Sequence, residues 1–274
     1  MTCIPALALT IFVALLGQTA TTPQPAAGAP PLVQAQAAVA STSARIWEGR
    51  NEEFEAYIRE APIERFEDVP IGVTKPKRAY LKGPGPVASV AWKILPPGRH
   101  GGFWESYRSE IAAYELDKLL GMGMVPPTVE KTWKGDRAAA VLWLSPIHSW
   151  KVMANKPKPE KWNRQAIRMK MFDNLICNKD RNMGNLLVDD EWNLFLIDHS
   201  RAFITDKDLP VVMERIDREI WDRMLALDEP VLKAALGKWV DGGGIRAILA
   251  RRDKMAIAID KLVKNSSEAA VFVR

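Results

Sequence analysis

Asp180, Asn185 and Asp198 lie five and thirteen residues apart in the stretch MFDNLICNKDRNMGNLLVDDEWNLFLIDHSRAF, residues 171–203. Carboxylate and amide oxygens are hard donors, suited to Mg²⁺ or Mn²⁺ and poor for zinc. A further carboxylate close to them can face an attacking hydroxyl and take its proton. Phosphoryl transfer from ATP uses such a set. One carboxylate points at the acceptor, and two oxygen-bearing side chains hold the cation that bridges the phosphates. Asp180 by itself would read as a helix-terminal turn residue. The signal comes from three suitable residue types at this spacing, each on a suitable element.

Those elements are legible from the pattern. A helix over 161–177 buries Ile167, Met171, Phe172, Leu175 and Ile176 and leads into the loop that holds Asp180. The hairpin of 186–188 with 193–197 follows, and Asp198 ends its apolar second strand, where a carboxylate is costly unless a cation or donors compensate it. Asp189 and Asp190 fall at the hairpin tip and are expected as turn residues. Arg181 is expected to brace the loop through a carboxylate, and His199 to be structural rather than a phosphate contact. Upstream, 44–60 reads as an amphipathic helix with Ile46, Phe54 and Ile58 on one side. Residues 69–81 read as two strands about a basic turn, and 87–95 as a third strand. A helix over 104–120 follows, burying Tyr107, Ile111, Tyr114 and Leu119 and capped by Gly121, and then strands over 125–131 and 138–144. Helices over 210–227 and 230–240, and one after Gly242-Gly243-Gly244 burying Ile245, Ile248, Leu249, Ile257 and Leu262, complete an α+β order.

At Asn178-Lys-Asp180-Arg181, Asn185 and Ile197-Asp198-His-Ser-Arg-Ala202-Phe203 the chain resembles the atypical branch of the protein-kinase-like fold. That branch includes HipA-type bacterial kinases, phosphatidylinositol 3- and 4-kinases and secretory kinases of the four-jointed type. The resemblance covers about 68–203 and implies a two-lobed α+β fold, with a small mixed β-sheet N-lobe carrying one helix (45–145) and a mainly helical C-lobe (146–274). It implies Asp180 as catalytic base and Asn185 and Asp198 as metal ligands. Lys93, in an otherwise apolar strand, resembles the lysine that meets the α- and β-phosphates. Glu110 is its expected partner, being mid-helix and followed by Ile111, although Glu105 and Glu115 share that helix. The chain departs from typical protein kinases, which have His-Arg-Asp before the loop and Phe-Gly after the metal-binding Asp. Here Lys179 precedes Asp180 and His199-Ser200 follow Asp198. No glycine-rich phosphate loop is present. Between the first two strands stands Ile71-Gly-Val-Thr-Lys75-Pro-Lys77-Arg78, whose basic residues, Lys75 first, are expected at phosphate oxygens. Trp143 is expected in core packing, with adenine stacking as the alternative.

The resemblance implies an ATP-dependent phosphotransferase acting on a hydroxyl with Mg²⁺ or Mn²⁺. A protein Ser/Thr acceptor is favoured over a lipid, because the C-terminal helices show no membrane-inserting or inositol-reading element. A catalytically silent pseudokinase that serves as a binding domain, a phosphoinositide kinase and an adenylyltransferase remain the alternatives. The last would use the same cation site with an inverted nucleotide.

The whole net charge of +5 lies after residue 44, spread along a chain of pI ≈ 9.1. Such spread reads as a solvated surface and not as a nucleic-acid footprint. Residues 1–20 hold an apolar run, 4–16, that suits a signal-peptide core, although no Lys or Arg precedes it. Residues 21–44 read as an Ala/Pro-rich tether. A genuine leader would place the protein in the secreted or periplasmic space, with no stable membrane insertion after cleavage; otherwise it is cytoplasmic. Cys177 is the one cysteine beyond the leader, so an intrachain disulfide there is excluded, and no Cys/His cluster supports a zinc site.

Overall fold

An antiparallel sheet with a helix on each face builds the first layer of the molecule. The computed structural model describes residues 43–70 and 76–273. The expected leader and nearly all of the tether lie outside them, as does Lys75. After helix α1 (Asn51–Glu60) come strands β1 (Ile63–Asp68), β2 (Lys77–Leu81) and β3 (Ser89–Lys93). A short hairpin, β4 (Gly98–His100) with β5 (Phe103–Glu105), leads into helix α2 (Tyr107–Leu120), and strands β6 (Thr128–Trp133) and β7 (Asp136–Leu142) follow. The five long strands form one antiparallel sheet in the order β1-β2-β3-β7-β6. Ala138 and Ala140 of β7 join Phe54, Ile58, Val90 and Trp92 in a core on one face. Ala139 meets Tyr107 and Ile111 of α2 on the other. Three successive alanines let both helices approach a strand that larger side chains would hold off.

The second lobe is mainly helical. A short strand β8 (His148–Ser149) and helix α3 (Trp150–Met153) precede the long helix α4 (Glu160–Ile176). Strands β9 (Leu186–Val188) and β10 (Leu194–Leu196) form a hairpin to which β8 adds. Then come β11 (Ile216–Asp217), α5 (Arg218–Leu225), α6 (Glu229–Leu236), α7 (Gly242–Asn265), α8 (Glu268–Val271) and β12 (Phe272–Val273), which pairs with β11 in parallel. Met171, Phe172, Leu175 and Ile176 of α4 are fully buried among Leu232, Leu236, Ile245, Ile248 and Met255. Arg251 of α7 is buried across α4, its Nε donating to the Leu175 carbonyl at 2.9 Å. Among the described residues no helix is long and apolar enough to cross a membrane.

Several element boundaries differ from expectation for local reasons. α1 begins at Asn51 and not at 44, because Gly49 takes φ +73 and interrupts the turn before it. Ile46 is consequently exposed, while Trp47 packs on Phe195 with ring centroids 5.7 Å apart. The first strand is β1, earlier than the expected 69–73, most of which lies outside the described residues. Trp104 belongs to the β4–β5 hairpin, and α2 starts only after Ser106, whose Oγ accepts from the Arg108 amide at 3.0 Å. Gly121 does cap α2 in the left-handed conformation. The expected helix over 210–227 shrinks to α5, since Asp217 is held in β11 and caps the Ile220 amide. The three glycines at 242–244 do not break a helix; they are the first turn of α7, capped by Asp241. Leu119 and Ile257, expected in the core, face solvent on the outer sides of α2 and α7.

Candidate active site

Lys93 ends β3, opposite Ala139 of β7, on the sheet face turned toward α2. One helical turn into α2, Glu110 is almost wholly buried. The Lys93 ammonium lies 2.7 Å from Glu110 Oε1 and 3.2 Å from Asp198 Oδ1. Burial alone would push the ammonium down, but the two carboxylates overcome it and hold Lys93 above its ordinary value. Burial would likewise raise Glu110. The Lys93 charge holds its carboxyl well below the usual range. Glu105 and Glu115 are elsewhere: Glu105 pairs with Arg201 at 2.6 Å and Glu115 with Lys118 at 2.9 Å.

The loop after α4 is shaped by its own amides. Cys177 ends the helix in the left-handed conformation. Asn178 Oδ1 accepts from the Asp180 amide at 3.1 Å, and Asn178 Nδ2 donates to Asp173 at 3.1 Å. Asn182 caps a single 3₁₀ turn, Met183–Asn185. Asn185 Nδ2 donates to the Asp180 carbonyl at 3.0 Å, and the Asn185 carbonyl accepts from the Ile197 amide at 3.2 Å. The two expected metal ligands thereby stand at the open end of the β9–β10 hairpin, Asn185 just before β9 and Asp198, at φ +65, two residues past β10. Arg181 braces the whole, donating to both oxygens of Asp173 and to the Asn185 and Ile197 carbonyls.

Asn185 Oδ1 and Asp198 Oδ2 take no hydrogen bond from the described residues, while their partner atoms are fixed by Asp180 and Lys93. Two hard oxygens left without a hydrogen bond from the described residues suit a divalent cation whose remaining ligands are phosphate and water. No group of three or more His, Cys, Asp or Glu among the described residues could hold a metal alone. Asp180 faces a different space. Its carboxylate is 40% exposed and 3.2 Å from Arg201 Nη1. Beside it opens a cavity of about 1000 Å³ lined by Arg99, Phe103, Trp104, Arg108, Arg201 and Trp239, among others.

Some expectations need correcting. Asp189 does open the hairpin turn, its carbonyl accepting from the Trp192 amide at 3.0 Å, but it is more than a turn residue. It is fully buried, and its carboxylate accepts from the Ala44 amide at 2.9 Å and from the Asn193 amide and side chain, each at 2.8 Å. Arg78 is drawn away from any phosphate by Ser89 Oγ at 2.9 Å and the Trp143 ring at 4.5 Å, so Trp143 stacks on a cation within the sheet. Lys77 pairs with Asp68 at 3.7 Å. His199 is buried, its amide donating to Glu110 Oε2 at 3.0 Å. Asn178 stands in the motif that carries the resemblance, whereas Arg201 and Asp173 gain a role only from the structure, although Arg201 stands three residues past Asp198 and Asp173 one helical turn before Cys177.

No protein-family model and no curated protein sequence matches the chain. Solved structures do. A Golgi casein kinase with Mn/ADP bound superposes at a TM-score of 0.63 and 14% identity, over 82% of this chain and 79% of that one. Hydra Fam20 with sugar gives 0.60 and 17%, over 80% and 90%. A further Golgi casein kinase structure gives 0.60 and 14%, over 81% and 77%. At these identities the likeness is one of fold.

Proposed function

We propose that this chain, which has the atypical protein-kinase-like fold, moves the γ-phosphoryl group of ATP to a hydroxyl, that of a protein Ser or Thr. The observation that carries the reading is Lys93 held between Glu110 and Asp198 at 2.7 and 3.2 Å, with the 180–185 loop bonded to Ile197, the residue before Asp198. Lys93 meets phosphate oxygens as a point charge, and Glu110 fixes its direction. Asn185 and Asp198 would hold Mg²⁺ or Mn²⁺; when bound, such an ion neutralises charge on the phosphate oxygens. Asp180 accepts the proton as the acceptor oxygen bonds to the γ-phosphorus and the bond to the β–γ bridging oxygen breaks, leaving ADP. The cavity beside Asp180 has room for a polypeptide segment carrying that hydroxyl. Arg201, paired with Asp180 at 3.2 Å, orients its carboxylate.

The test is incubation of the full chain with γ- or α-labelled ATP, a divalent cation and a dephosphorylated protein acceptor. Transfer of γ-label that EDTA abolishes is expected. Transfer of α-label would instead mean adenylylation, and no transfer of either would mean a silent binding domain.

A further inference from the structure

Arg181 uses every N–H it has. Nε and one Nη2 proton go to Asp173 at 3.0 and 2.9 Å, and the two Nη1 protons go to the carbonyls of Asn185 and Ile197 at 3.1 and 2.8 Å. The remaining Nη2 proton meets His199 Nε2 at 2.9 Å. A guanidinium can only donate, so Nε2 must accept, and the neutral ring then carries its hydrogen on Nδ1. That Nδ1 is buried without a hydrogen-bond partner and lies 3.7 Å from Glu110 Oε2. The His199 main-chain amide already donates to the same oxygen at 3.0 Å. One residue thus touches the brace of the 180–185 loop with one ring edge and the partner of Lys93 with the other.

We propose that His199 is a positioning residue that interlocks helix α2 with the 180–185 loop, so that Glu110, Lys93 and the Asn185–Asp198 pair are set together. Its consequence for turnover rests on the phosphotransferase reading; the interlock itself does not. A movement of α2 toward the loop of on the order of half an ångström brings Nδ1–H into bonding range of Glu110. An outward swing of α2, a recurrent switching motion of such helices, removes both contacts. The competing role is volume alone, since the ring also stands edge-on to Phe172 with centroids 6.2 Å apart. Phenylalanine would fill that volume equally, and it is the residue that typical protein kinases carry after the metal-binding Asp.

The experiment uses the full chain and its His199→Phe and His199→Gln variants. ¹⁵N NMR at neutral pH is tractable with three histidines and is expected to show His199 protonated at Nδ1 and bare at Nε2. His199→Phe is expected to lower turnover about 10–100-fold, the usual effect of removing a group that orients metal ligands. Its backbone hydrogen exchange should quicken at both 107–112 and 181–185. Glutamine keeps an acceptor for Arg181 and loses the donor toward Glu110, so it should loosen 107–112 and spare 181–185. A ring protonated at Nε2, or a His199→Phe protein with wild-type turnover and exchange, overturns the proposal. Should His199→Phe fail to fold, the wild-type tautomer and the glutamine variant decide. A wild type that transfers no phosphoryl group defeats the phosphotransferase reading alone, and the tautomer and exchange still decide the interlock.

Discussion

The two halves of the cleft are built on opposite electrostatic terms. On the side assigned to the nucleotide, Lys93, Glu110, Arg181 and Asp173 are all nearly sealed from water and arranged in ion pairs of 2.7–2.9 Å. On the acceptor side, Asp180 and Arg201 are 40% and 29% exposed, and their 3.2 Å pair opens onto a wide cavity. Charges in a low-dielectric setting cannot be left unpaired, so each buried member fixes the next. Exposed pairs of this kind contribute about 1 kcal/mol or less and can be remade around an incoming group. A rigid half that meets the same small molecule every time, set against a compliant half that must receive a protein surface, is the division of labour that the proposed reaction requires.

The largest effect expected is on rate. Asp180→Ala should lower transfer by about 10²–10⁴-fold, the usual weight of a general base, while nucleotide affinity measured by calorimetry stays nearly the same. Loss of nucleotide binding together with transfer would move Asp180 into the rigid half and break the contrast. Next comes Lys93→Met. It strands the Glu110 carboxylate in the interior, and breaking such a buried pair costs about 3–5 kcal/mol. Urea unfolding of wild type and variant measures this, and a cost below about 1 kcal/mol would show that the pair is not load-sharing with the fold. Arg201→Ala sharpens the comparison from the open side. It should cost about 1 kcal/mol or less in stability and lower transfer by about tenfold through a less constrained Asp180. A large destabilisation would mean that the Arg201–Glu105 pair belongs to the rigid half after all.

Legibility in the sequence followed the same division. Asp180, Asn185 and Asp198 stand out because a loop, a tight hairpin and an apolar strand lie in one continuous stretch. Lys93 stands out because an ammonium in an apolar strand demands a carboxylate. Glu110 needed the resemblance, since Glu105 and Glu115 share its helix and nothing local ranks the three. The acceptor side was not legible. A two-residue turn such as Gly101-Gly102, pairing strands as short as β4 and β5, carries no periodicity to detect. Asp189 and its neighbour Asp190 look alike at a hairpin tip. What separates them is the Ala44 amide, 145 residues away, which docks on Asp189 and on nothing else in the hairpin. Contacts of that range leave no trace in spacing.

The last prediction isolates what a partner does for a buried carboxylate. Glu110 and Asp117 lie two turns apart on α2, both buried. Glu110 faces Lys93 and is held low. Among the described residues Asp117 has backbone amides as its close donors, among them Met124 N–H at 3.0 Å, and burial pushes it up to about 7 from an ordinary 3.8. The signs therefore oppose. For Glu110 the folded state binds its proton less readily than the unfolded chain, so its contribution is present above the unfolded value and lost as the pH falls below it. For Asp117 the folded state binds the proton more readily. Its contribution is full below about 4 and lost as the pH rises through about 7, at no more than about 1.4 kcal/mol per pH unit. Asp117→Asn removes that term while leaving an oxygen to accept from the Met124 amide. Denaturant unfolding at pH 5 and pH 8 should show the variant gaining on the wild type at pH 8 relative to pH 5. Parallel pH curves for the two proteins would mean that Arg45, whose buried guanidinium also bears on this carboxylate, pairs with it as Lys93 does with Glu110.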